Sequence, residues 1–241
     1  MGKTVISDAQ HAKELVEAVV VKYWNMVRRR SVRPWETAIN ICDEDVGDIS
    51  SVVSAAGRVR GLAINAQVDL SGIHDLKNLE ELSLGHMVHG IVDLRWFPKL
   101  RSLSLHLSSM LRVLSVELGA QLTGLGLTSC SIEWAAAIER NMVLENLSLI
   151  SPRAFPGRLP ESLRYLSVAV CSASAFPDFA GERLVELRLE EVRELRDFSK
   201  FSGCTNLSTV YVEDCPGLSS RDGLASGCQV LAVGCTPLRG D

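Results

Sequence analysis

One short phrase recurs along the chain: an apolar residue, two variable residues, a leucine, one variable residue and another apolar residue. It reads Leu79–Leu82–Leu84, Leu100–Leu103–Leu105, Leu122–Leu125–Leu127 and Leu144–Leu147–Leu149. It continues as Leu163–Leu166–Val168, Leu184–Leu187–Leu189, Leu207–Val210–Val212 and Cys228–Leu231–Val233. Upstream, Val59–Leu62–Ile64 fits and Glu36–Ile39–Ile41 fits loosely. Successive starts are 23, 20, 21, 22, 22, 19, 21, 23 and 21 residues apart. A near-constant period in this range is the signature of stacked supersecondary units, none of which buries its apolar face alone. Within Leu82-Ser83-Leu84 and its equivalents, apolar and polar residues alternate as in a half-buried strand.

The fullest unit is Leu122-Thr-Gly-Leu125-Gly-Leu127-Thr-Ser-Cys130-Ser-Ile132. It resembles the leucine-rich repeat, L-x-x-L-x-L-x-x-N/C-x-L. Cys171 and Cys215 fall on the same N/C position, while Met87, Pro152 and Val192 depart from it. The resemblance covers about residues 36–238. It implies an α/β solenoid with a curved parallel sheet on the concave face, and it points Cys130, Cys171 and Cys215 inward. Nine to ten units predict strands at about 38–41, 61–64, 81–84, 102–105, 124–127, 146–149, 165–168, 186–189, 209–212 and 230–233.

The segments between strands are about a dozen residues long. Ser131–Asn141 suits one or two helical turns, whereas Ser151–Pro160 holds Pro and Gly and suits irregular backbone. A mixture of short helices, extended pieces and 3₁₀ turns is expected. Leu111–Leu114–Val116 repeats the phrase out of phase; either it runs on the convex side or the register breaks there.

Two domains are predicted: a capping helix within residues 1–35, then the array over 36–241. Ser7 and Gln10 have capping-box spacing. Ala12, Leu15, Val16, Val19, Val20, Tyr23 and Val27 form an apolar stripe over a helix at 7–30, which is expected to cover the first strand. Arg28, Arg29 and Arg30 suit the helix's C-terminal dipole.

Net charge of −4 argues against general nucleic-acid binding. The opening Met-Gly-Lys-Thr-Val-Ile lacks the apolar run of a signal peptide, and no run of about 20 apolar residues occurs. Seven cysteines without a C-x-x-C pair fit a reducing compartment better than a disulfide framework or zinc site. A cytoplasmic protein is expected, without membrane or nucleic-acid partner. The sequons at Asn146 and Asn206 are read as chance matches within repeat strands.

No catalytic constellation emerges, so a non-enzyme without cofactor is expected. His86 and His106 fall on adjacent strands, and with His89 they form a weak candidate for metal or proton binding. Cys42 has no evident base. At the centre of each strand the series runs Asn40, Ala63, Ser83, Ser104, Gly126, Ser148, Ser167, Arg188, Tyr211 and Ala232. These residues are small until the C-terminal third, where Tyr165, Glu186, Arg188, Glu190, Tyr211, Glu213 and Asp214 gather on neighbouring strands. Aromatic residues and Arg anchor interfaces, and clustered carboxylates steer a basic partner. The expected function is a protein-interaction module. One alternative is a dedicated inhibitor or immunity protein against a basic enzyme or toxin. The other is the substrate-recognition part of an effector or ligase.

Overall fold

The computed structural model describes residues 38–41, 49, 52–53, 56–108 and 110–235. The chain divides into two compact units, Met1–Arg33 and Pro34–Asp241. The predicted helix at 7–30 and Cys42 lie outside the described residues.

The described residues of Pro34–Asp241 hold an open parallel sheet of ten strands. They are β1 (Ala38–Ile41), β2 (Gly61–Ile64), β3 (Glu81–Leu84), β5 (Ser102–His106), β7 (Gly124–Thr128), β8 (Asn146–Ile150), β9 (Tyr165–Ser172), β10 (Glu186–Arg193), β11 (Thr209–Glu213) and β12 (Gln229–Val233). Their order in the sheet is their order in the chain. Every predicted strand is present, eight of the ten begin and end within one residue of expectation, and β9 and β10 run four residues further.

The leucines explain the register. Leu62, Leu82, Leu103, Leu125, Leu147, Leu166, Leu187 and Val210 pair across successive strands as one column, and Ile64, Leu84, Leu105, Leu127, Leu149, Val168, Leu189 and Val212 as a second. All are buried. A third buried column runs from Val59 through Leu79, Leu100, Leu122, Leu144, Leu163, Leu184 and Leu207 to Cys228. A forked hydrogen bond locks the entry of β3, β5 and each strand from β7 to β11. The N–H groups of Arg101 and Ser102 both donate to the Glu80 carbonyl, and those of Ser208 and Thr209 to that of Val185.

The returns are mixed, as expected. Short 3₁₀ turns occur at Ile73–Asp75, Leu94–Trp96 and Ser199–Phe201. Helix α1 (Ile132–Arg140) buries Trp134, Ala135, Ala137 and Ile138, the i, i+1, i+3, i+4 pattern of one helical face. The out-of-phase phrase has a structural basis: β6 (Leu111–Val113) pairs in parallel with β4 (Gly90–Val92) in a separate two-stranded sheet. An Asp69–His89 bridge extends the same ladder by one rung. In the C-terminal half, the residue after each sheet rung turns left-handed instead: Ser129, Ser151, Val170, Glu191, Asp214 and Gly234 all have positive φ. That turn sends the following residue back inward, and Cys130, Val192 and Cys215 are fully buried there. Behind them, Phe155, Phe176, Phe179 and Phe201 pack together, with Phe179 stacked on Phe201 at 4.9 Å between ring centroids.

β12 departs from the expected register. Val210 pairs with Val230, Tyr211 with Leu231 and Val212 with Ala232. The repeat phrase had assigned Leu231 and Val233 to the core and Ala232 to the outward series. The slip arises just after Cys228, whose N–H donates to the Ala225 carbonyl as that of Leu207 does to Cys204. Gln229 follows immediately and takes the place opposite Thr209, so the strand begins one residue early and its faces exchange.

Candidate functional site

Across β9–β12 the register sets the outward side chains in three rows. The first is Tyr165, Glu186, Thr209 and Gln229; the second is Ser167, Arg188, Tyr211 and Leu231; the third is Ala169, Glu190, Glu213 and Val233. Six of the seven predicted site residues lie on or at the edge of this face. Asp214 instead occupies the left-handed turn that ends β11, with its carboxylate against Gly234.

Arg188 organises the middle of the face. Its Nη2 donates to Glu213 Oε2 at 3.0 Å on β11 and stands 3.7 Å from Glu190 Oε2 on its own strand. The Arg188 side chain is 19 % exposed and that of Glu190 only 7 %. A guanidinium between two carboxylates in such surroundings is held in one geometry, because leaving either partner exposes a desolvated charge. The Arg164 guanidinium lies 5.9 Å from the centre of the Tyr165 ring, at the first row's edge.

Exposure rises toward the C-terminal end. Ser148 and Ser167 are buried, and a Cβ at Gly126 would meet Ser104 Oγ at 3.3 Å, so the small central residues form a tight row. Beyond Arg188, Tyr211 is 36 %, Leu231 42 % and Val233 66 % exposed. The face therefore joins an apolar ledge to a charged band. The reading of the sequence missed Leu231 and Val233. From Val230 to Val233 every residue is apolar, so alternation gives no signal of which parity faces the core.

The histidines divide between two places. The rings of His86 and His106 meet edge-on at 5.7 Å, whereas His89 sits in the bridge to Asp69, off the main sheet. Among the described residues no group of three His, Cys, Asp or Glu is arranged to hold a metal ion. Burial pushes the Cys130, Cys171 and Cys215 thiols up to about 12, which makes them inert as nucleophiles. Cys130 and Cys215 are fully buried, while Cys171 is half-buried. Asn146 lies on β8, but Asn206 lies in the turn before β11, where its Nδ2 donates to the Glu182 carbonyl. A cleft of about 600 Å³ near the starts of β9 and β10 holds the Arg158–Glu161 ion pair beside exposed Met142. No helix among the described residues is long and apolar enough to cross a membrane.

No protein-family model matches this chain, and no curated protein matches it.

Proposed function

We propose that this chain is a leucine-rich repeat solenoid that acts as a non-enzymatic protein-interaction module, with the outward face of β10–β12 as its contact surface. The repeat reading is supported by ten parallel strands in chain order and by the three columns of buried apolar residues. The observation that carries the functional reading is the exposed trio Tyr211, Leu231 and Val233 beside the Arg188–Glu213 pair. Apolar and aromatic side chains bordered by fixed charge have the composition of an interface centre and its rim. Glu186, Glu190, Glu191, Glu213 and Asp214 outnumber Arg188 and Arg193 in this region, which favours a basic partner. The six described cysteines are free thiols, as suits a reducing cytoplasm.

A dedicated inhibitor of a basic enzyme is the sharper form of the same reading, and the carboxylate excess favours it. The test is capture of partners on the immobilised protein and on two folded variants, Tyr211→Ala and Arg112→Ala. Arg112 lies on β6, outside the main sheet. A partner lost on Tyr211→Ala and kept on Arg112→Ala is the expected result; the reverse refutes the assigned face. An inhibitor further requires that the captured partner lose its own activity when bound.

A further inference from the structure

We propose that the outer edge of β12 receives an extended segment of the partner as an added strand, and that this segment carries an apolar and a basic side chain two residues apart. The inference rests on the interaction reading above and specifies how the partner is held.

The backbone supplies the first argument. In a parallel ladder the N–H and C=O of one residue point to the same side. The Gln229 N–H donates to the Ser208 carbonyl, and the Val233 carbonyl accepts from the Asp214 N–H. The alternate residues Val230 and Ala232 therefore direct their N–H and C=O groups away from β11. Among the described strands β12 lies at the end of the sheet, and Gln229, Leu231, Ala232 and Val233 are exposed.

The second argument is what the edge lacks. Sheet edges are ordinarily blunted by Lys, Pro, inward charges or bulges. Gln229–Val233 contains no charged residue and no proline, and it pairs with β11 without a bulge. Such an edge is a template for strand addition, in which main-chain hydrogen bonds give affinity and alternate side chains give specificity.

The third argument chooses the occupant. An added strand lies roughly 4.8 Å beyond β12 and so about 10 Å from β11. A Lys or Arg opposite Val233 can lay its aliphatic stem across Val233 and place its cation at Glu213, in the same row. The residue two positions away then faces Leu231 and, beyond it, Tyr211. A second copy of this chain fits less well. Its own β12 brings no cation, and each copy carries a formal charge of −4.

The test uses the whole chain and two labelled, acetylated peptides, Thr-Val-Thr-Lys-Thr-Val-Thr and the same peptide with Glu in place of Lys. Binding is read by fluorescence anisotropy at low and high salt. The Lys peptide should bind about tenfold or more tighter than the Glu peptide, with the difference shrinking as salt rises. Ala232→Pro removes one outward N–H and no hydrogen bond to β11, and it should abolish the Lys-peptide signal while thermal unfolding confirms the fold. Equal binding of both peptides, binding of neither, or binding that survives Ala232→Pro overturns the proposal. So does sedimentation of the parent as a dimer that Ala232→Pro splits, because the occupant is then a second copy. With the captured partner, loss on Tyr211→Ala but not on Ala232→Pro refutes strand addition alone. Retention on both refutes the face itself.

Discussion

At the residue scale, the columns of leucine make a quantitative claim. Leu125 and Leu147 are 2 % and 3 % exposed, side by side in one column. Leu→Ala at either should cost about 2–5 kcal/mol, because both flanking rungs are packed and cannot collapse into the cavity. Ser104→Ala, on the opposite face, should stay within about 0.5 kcal/mol of the parent in urea unfolding. A cost below about 0.5 kcal/mol at both leucines contradicts the packing. The thiols make a second claim. Cys130, Cys171 and Cys215 are raised by burial from 9.0 to about 12. A raised folded pKa means that the unfolded chain loses these protons first. Stability from this source is complete below about pH 9 and falls as pH rises toward about 12. Thermal unfolding measured across that window should drop, and Cys130→Ala should flatten the slope; an unchanged slope removes the thiol as the cause. The same cysteines mark what was legible at this scale. A repeat position that points inward identified Cys130 and Cys215, but the half-buried state of Cys171 depends on how β9 continues through Val170, a left-handed β-branched residue that no propensity favours.

At the element scale, the strands were legible because leucine at fixed spacing leaves one parity for the core. The helix α1 was legible for a related reason, since Trp134, Ala135 and Ile138 keep helical spacing between two strands. The two-stranded sheet of β4 and β6 was visible only as a phrase out of phase. Its pairing depends on returns of matching length, which a single unit's composition does not encode. β12 was placed but misregistered, because Val230–Val233 is apolar at every position and the missing residue after Cys228 belongs to the turn. The register yields a direct comparison. Val230 is half-buried on the core side and Leu231 is 42 % exposed on the other. Val230→Lys should destabilise the protein by about 1–3 kcal/mol, and Leu231→Lys should change stability by less than about 0.5 kcal/mol. The reverse ranking in urea denaturation restores the register expected from the repeat phrase. The site shows the same limit. The positions of the proposed contact residues on β10 and β11 were legible because they stand in well-fixed rows, whereas Leu231 and Val233 on β12 were assigned to the core by one residue of slip.

At the scale of the whole sheet, the strongest strand contacts all join neighbours in sheet order. Stability in such an arrangement is close to a sum of unit terms and nearest-neighbour interface terms. A strand inside the sheet has two interfaces to lose before it opens, and β12 has one among the described strands. The burial of the strands sharpens that difference. β7 and β8 are buried at four of five positions each, while β12 has none fully buried. Opening should therefore begin at β12 and become more costly toward β7 and β8. Amide hydrogen exchange followed by mass spectrometry should find the Gln229–Val233 peptides exchanging first, those of β11 next and those of β7 and β8 last. Pairing an extended segment at β12 should slow exchange at Val230 and Ala232 most, because their N–H groups face the open edge. Uniform protection from β7 to β12 would mean that the sheet opens as one unit and that the exposed end has no separate stability. A graded profile would place the proposed contact surface on the element whose order has most to gain from a partner. Binding there would draw its free energy from the apolar ledge and the carboxylates, and would lose part of it to ordering the strand that receives it.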